Sequence, residues 1–269
     1  MSQGSTDEVL YEVAERVATI TLNAPARMNT ISRTMLDALT AALVRAQEDR
    51  EVRVVILTGS GRAFCAGLDV TAMAQGRDTG VLSSSGGVRP TLDLRNTPPT
   101  VLHAMDKPVI CAVNGGAAGY GMDLALGCDI RIMADGAKLA AAFCKRGVLP
   151  ESGSTWLLPR MIGWAKASQL IFTGRTLNAQ ESVDWGLATE VVPADALMPR
   201  ARALALEIAA NAPLAVQASK RMMRMGWNET FPDHVHHVYL QLLPLAQSED
   251  TKEGMRAFAE RREPRFEGR

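Results

Sequence analysis

The sequence predicts an α/β fold whose last third is helical. Three observations carry this. Strand-like and helix-like patterns alternate early, at Val17–Leu22, residues 32–47 and residues 52–58. The order recurs loosely with a buried-strand run at Val109–Val113, a helix from near Gly119 and another apolar run at residues 129–133. From Gly163 onward helical periods follow one another. Strand–helix–strand order calls for parallel crossovers and hence an α/β architecture.

The elements can be justified in turn. Val17–Leu22 alternates apolar residues with Thr19 and Thr21, as a half-buried strand does. Pro25 marks the turn after it. Ser32 is placed to cap a helix that carries Met35, Leu36, Leu39, Leu43 and Ala46 on one face. Residues 52–58 read as the next strand. Residues 75–99 are rich in Gly, Ser, Thr, Asp and Pro and read as a mobile loop, with a short helix near Leu92. Val109–Val113 follows a proline, and Asn114-Gly115-Gly116 then breaks the strand where only glycine tolerates the backbone freely. Helical periods cover residues 165–172, 179–185, 196–211, 213–225, 231–246 and 249–261. The apolar faces of the last of these exceed what a thin appendage can bury, so association is expected. The expected division is a core over residues 1–195 and a helical region over residues 196–269.

Bulk composition narrows the function. The chain has 269 residues, 47% of them apolar, enough for one large core. Basic and acidic residues number 29 each, so no global field recruits nucleic acid. Cys65, Cys111, Cys128 and Cys144 lack metal or redox spacing and read as core residues in a reducing compartment. The polar N-terminus carries no signal segment and no apolar run spans a bilayer, so a soluble cytoplasmic protein is expected.

Two glycine-rich breaks point to chemistry. The first follows residues 52–58 in Ser60-Gly-Arg-Ala-Phe-Cys-Ala-Gly-Leu-Asp69; the second runs from Asn114 to Met122 and opens a helix. A helix start leaves backbone N–H groups unpaired. Two such breaks can aim two N–H groups at one point, the requirement of an oxyanion hole. A tight turn of small residues made for packing is the plainer alternative.

Here the chain resembles the enoyl-CoA hydratase/isomerase (crotonase) superfamily. The resemblance is carried by Asn23-Ala-Pro-Ala-Arg-Met-Asn29, Arg62-Ala-Phe-Cys-Ala-Gly-Leu-Asp69 and Lys107-Pro-Val-Ile-Cys-Ala-Val-Asn-Gly115. It continues through Cys128-Asp-Ile-Arg131, Leu170-Ile-Phe-Thr-Gly174 and Trp185-Gly-Leu-Ala188, covering nearly the whole chain. It implies a crotonase-like β-β-α spiral core with a C-terminal helical trimerisation region, and trimers, often paired into hexamers. It also implies an acyl-CoA thioester substrate, whose enolate oxygen the Leu68 and Tyr120 N–H groups hold. Tyr120 departs from the family's usual glycine, but a backbone donor survives a bulky side chain. The loop at residues 75–99 is implied to border the acyl pocket.

The carboxylates depart from the hydratase pattern. The family's first glutamate position holds Asp123, and the second holds Phe143, which has no proton to exchange. Glu151, in Gly147-Val-Leu-Pro-Glu151, resembles instead the proton-shuttling carboxylate of Δ3,Δ2-enoyl-CoA isomerases and of isomerases from phenylacetyl-CoA breakdown. Apolar neighbours such as Val148, Leu149 and Phe143 are expected to raise its proton affinity. Its plainer role is a helix cap or first-turn acid. Asp123 is either a second acid facing the acyl chain, as in dienoyl-CoA isomerases, or a buried hydrogen-bonded residue. Implied CoA contacts are Arg27, Met28, Ala66 and Leu68, with Phe258 and Arg261 from a neighbouring subunit.

No metal or redox cofactor is expected; coenzyme A enters as part of the substrate. His234, His236 and His237 lack the ligand spacing of a metal site, and no Gly-x-Ser-x-Gly elbow supports a hydrolase. The leading expectation is a double-bond isomerase with Glu151 as proton shuttle. The alternatives are a hydratase using Asp123 and Glu151, and a non-catalytic acyl-CoA-binding protein.

Overall fold

The alternating signals resolve into two sheets. A computed structural model describes residues 8–68 and 97–269. The larger sheet begins with an antiparallel pair, β1 (Val9–Ala14) and β2 (Val17–Leu22), with Val9 opposite Leu22. It continues in parallel through β3 (Val54–Gly59), β5 (Val109–Val113), β7 (Ile130–Ala134) and β10 (Glu190–Val192). β3 and β5 are apolar and buried on both faces, as parallel strands covered by helices must be. The smaller sheet has the order β4 (Ala63–Cys65), β6 (Gly116–Ala118), β8 (Lys138–Ala140), β9 (Thr176–Asn178).

These strands generate a repeating path. The chain runs up a strand of the large sheet and crosses at once to one of the small sheet. It does so as β3 to β4, β5 to β6 and β7 to β8. Helix α3 (Tyr120–Gly127) follows β6 and α4 (Ser154–Ile162) lies beyond β8. This is the β-β-α spiral. The loop expected at residues 75–99 lies, through residue 96, outside the described residues.

Helix α1 (Arg33–Glu48) joins β2 to β3. Ser32 accepts a hydrogen bond from Met35 N–H, and the buried face is Met35, Leu36, Leu39, Ala42, Leu43 and Ala46. Helix α2 (Pro98–Ala104) precedes β5. Helices α5 (Trp164–Thr173), α6 (Ala179–Asp184) and α7 (Leu197–Ala209) complete the core, α7 lying on the large sheet through Leu197, Ala201, Ala205 and Ala209. The helix that opens the expected C-terminal region therefore packs on the core itself. Beyond it come α8 (Pro213–Gly226), α9 (Phe231–Ala246) and α10 (Glu249–Glu260). No residue of α9 is buried, and Phe231, Tyr239 and Leu243 are exposed. Among the described residues no helix is long and apolar enough to cross a membrane. Cys65, Cys111 and Cys128 are buried; Cys144, expected in the core, is exposed in the 3-10 turn Cys144–Arg146.

The C-terminus of α3 is finished by a buried cation. Arg131 donates to the carbonyls of Ala125 (3.1 Å), Cys128, Asp129 (3.2 Å) and Leu187 (2.6 Å). These include carbonyls that a helix end leaves without partners. Arg131→Met is expected to lower the unfolding free energy by about 3 kcal/mol, because several buried acceptors lose charged donors together. Urea denaturation measures this.

Candidate active site

The two glycine-rich breaks meet backbone to backbone. After β4, Ala66 N–H donates to Met28 C=O at 3.0 Å, and Ile31 N–H to Gly67 C=O at 2.8 Å. This lays residues 66–68 along the turn at 28–31. Gly67 has φ 100°, and a Cβ there would stand 2.8 Å from Ala118 O and 3.8 Å from Tyr120 N. At Gly121, in the first turn of α3, a Cβ would stand 2.1 Å from Cys65 O. Only glycine permits either approach. The Leu68 and Tyr120 N–H groups thus belong to abutting segments, the second at the positive end of a helix. Among the described residues neither has a backbone acceptor.

Two asparagines brace this arrangement. Asn29, fully buried at φ 54°, accepts from Ala24 N–H and donates to the carbonyls of Ser60 (2.9 Å), Ala63 (2.8 Å) and Phe64 (3.1 Å). Asn114 accepts from Gly59 N–H and donates to the carbonyls of Gly61 and Ala63. Both stood in the motifs, yet the residues around them carry no signal of these long-range bonds.

The acids differ in environment. Asp123, on α3, is 0% exposed. Its Oδ2 accepts from Ser152 N–H at 3.0 Å and its Oδ1 from the Ser154 hydroxyl. Burial first, then the nearby Glu151 charge, push its pKa up to about 7 against these donors. Glu151 is exposed, yet enough protein surrounds its carboxyl to raise its pKa; its own N–H and the Ser152 hydroxyl oppose the shift. It precedes the Gly153 cap of α4 by two residues, so it is neither the cap nor a first-turn acid. Phe143 is buried, with its ring edge 3.9 Å from where a Gly119 Cβ would stand. Val148 and Leu149, expected as apolar neighbours of Glu151, are 40% and 66% exposed and follow Gly147 at φ 71°. The Tyr120 phenol is buried, and its pKa is raised by burial and by the nearby Cys65, Glu151 and Asp123.

The implied CoA contacts are spread out. Met28 and Ala66 adjoin through their backbone bond, beside Leu68. Arg27 is already engaged, donating to Thr30 C=O (3.1 Å) and the Ser32 hydroxyl (3.2 Å) and pairing with Glu8 at 2.8 Å. Phe258 is 88% exposed on α10, and Arg261 caps that helix in a left-handed conformation. Among the described residues of one chain, no hydrogen bond or ion pair joins these two to the glycine breaks. His234 and His237 both turn to Glu229, and among the described residues no group of three ligands can hold a metal.

Known proteins share this framework. The sequence pattern of the family described as enoyl-CoA hydratase/isomerase matches residues 12–269. The 1,2-epoxyphenylacetyl-CoA isomerase of Escherichia coli is 37% identical, over 97% of this chain and 98% of its own. The (E)-benzylidenesuccinyl-CoA hydratase of Thauera aromatica is 36% identical, over 97% and 99%. Among solved structures, an enoyl-CoA hydratase from Bacillus anthracis superposes with a TM-score of 0.87 at 33% identity, over 97% of this chain and all of that one. With the spiral, the paired glycine breaks and these matches all spanning nearly the whole chain, it belongs to the enoyl-CoA hydratase/isomerase (crotonase) family of acyl-CoA enzymes.

Proposed function

We propose that this enzyme moves a carbon–carbon double bond along an acyl-CoA thioester, with Glu151 as the only carboxylate that handles the proton. One observation carries the reading: of the three positions where this family's acids are expected, only Glu151 is open to a substrate. Phe143 has no proton to give, and Asp123 is sealed and occupied by donors. In a 3-enoyl thioester, the Glu151 carboxylate takes a proton from C2, and the electron pair delocalises over the thioester oxygen and C4. The Leu68 and Tyr120 N–H groups hold that oxygen, each contributing about 3 kcal/mol to the transition state. Glu151 then returns the proton at C4, leaving a 2-enoyl thioester. A base with raised proton affinity suits both halves of the transfer.

The pH dependence follows from the direction of the Glu151 shift. The base works ionised, so raising its pKa moves the acidic limb of kcat/KM upward. The limb is expected clearly above the ordinary glutamate value of about 4.3. A limb at or below that value contradicts the assignment. Hydration of 2-enoyl-CoA is the second reading, favoured by the closeness of the Asp123 and Glu151 charges and by the hydratases among the relatives. It requires both acids to reach one water. Supplying 3-enoyl-CoA and 2-enoyl-CoA and analysing for isomer and 3-hydroxyacyl-CoA separates the two. The exposed apolar faces of α9 and α10 support assembly into trimers or hexamers, which sedimentation tests.

A further inference from the structure

We infer that Asp123 is a positioning residue for Glu151: from within α3 its carboxylate clamps the turn at residues 152–154 and fixes where Glu151 points. The inference rests on Glu151 as the base. Helix α4 starts at Ser154 behind Gly153, and no side chain of its own segment caps it. The first N–H groups of a helix need acceptors when water is excluded. Asp123 braces this helix start from another helix. Its carboxylate accepts from Ser152 N–H and from the Ser154 hydroxyl. Asp123 and Ser154 are both fully buried, so neither meets substrate. Gly153, between Ser152 and Ser154, stands at φ 121°, where glycine is permissive, so the turn's own backbone does not fix its shape and the bonds to Asp123 do. Glu151 is therefore held between buried Pro150 and a turn pinned by Asp123.

The charges around Asp123 fit a clamp better than a proton donor to substrate. Glu151 faces it across the turn, and the Tyr120 phenol lies one turn earlier on the same helix face, with the Cys65 thiol beyond. Among the described residues no cation pairs with it. Aspartate, one methylene shorter than the family's glutamate, keeps its carboxyl behind the turn.

The test is a double-mutant cycle on isomerisation of 3-hexenoyl-CoA, at enzyme concentrations that make the residual rate of Glu151→Gln measurable. Asp123→Ala is expected to lower kcat about 100-fold, the effect of displacing a reacting group slightly. KM is expected to stay within about twofold, since acyl-CoA contacts are untouched. Asp123→Asn is expected to recover most of the rate. Its amide oxygen still accepts from Ser152 N–H and its amide nitrogen donates to the Ser154 hydroxyl. In the Glu151→Gln background, Asp123→Ala is expected to cost nothing further, because there is no base left to aim.

A loss that multiplies in the double variant overturns the positioning role, as does an Asn variant no better than Ala. Full turnover by Glu151→Gln alone overturns the base assignment and this inference with it. The two failures are thereby distinct. Should Asp123→Ala not fold, Ser154→Ala removes one strand of the clamp. It is expected to lower kcat about tenfold with the same non-additivity.

Discussion

Glu151→Gln is expected to lower kcat for double-bond migration about 10³-fold while leaving KM within about twofold. General-base catalysis by a placed side chain contributes about 10²–10⁴-fold, and a single-base mechanism has no second group to take over. Asp123 is the nearest other acid, but it is sealed from solvent and bonded to Ser152 and Ser154. Phe143 offers no proton. The amide is isosteric, so it removes basicity and leaves the turn in place. Steady-state kinetics at saturating 3-enoyl-CoA measure the effect. A variant retaining a tenth or more of the rate contradicts Glu151 as the base.

Gly121→Ala is expected to damage both stability and rate. A Cβ at this position would stand 2.1 Å from Cys65 O, and main chain cannot rotate away as a side chain does. Either α3 or the segment after β4 must shift, which separates the Leu68 and Tyr120 N–H groups. Overpacking of this kind costs about 1–3 kcal/mol of stability. Misplacing one oxyanion donor costs about 10²-fold in kcat. Gly136→Ala is the control: nothing lies within 4 Å of its Cβ, and it is expected to be neutral. Melting and kinetics of the pair test the claim together. A normal rate for Gly121→Ala contradicts the placement of the two donors.

Much of the large sheet was legible because its strands and helices have periods. The Ser32 cap and the α1 face from Met35 to Ala46 stand where the spacing puts them, and the α9 bounds coincide with the helical period. The small sheet was not legible. Its strands are three residues long and rich in alanine, too short for any alternation. The glycine breaks marked the site, yet their contact depends on two glycines pressed against main chain, which no local pattern reveals. The environment of each acid was hidden for the same reason. Spacing put Asp123 on α3 and left its burial as one of two alternatives; the bonds that go with that burial come from a turn 29 residues away at Ser152. Val148 and Leu149 look like core residues by type, yet both are exposed after the left-handed Gly147. Asn29 and Asn114 stood in the motifs, but their bracing role exists only once the strands around them are assembled.

The most direct measurement is turnover of 3-hexenoyl-CoA by the wild-type enzyme in ¹⁸O-labelled water, followed by mass spectrometry of the thioester products. The expected result is 2-hexenoyl-CoA of unchanged mass and free of ¹⁸O, formed by moving one proton from C2 to C4. No turnover of 3-hexenoyl-CoA, with 2-hexenoyl-CoA supplied in its place converted to ¹⁸O-labelled 3-hydroxyhexanoyl-CoA, would contradict single-carboxylate isomerisation and assign water addition to the site.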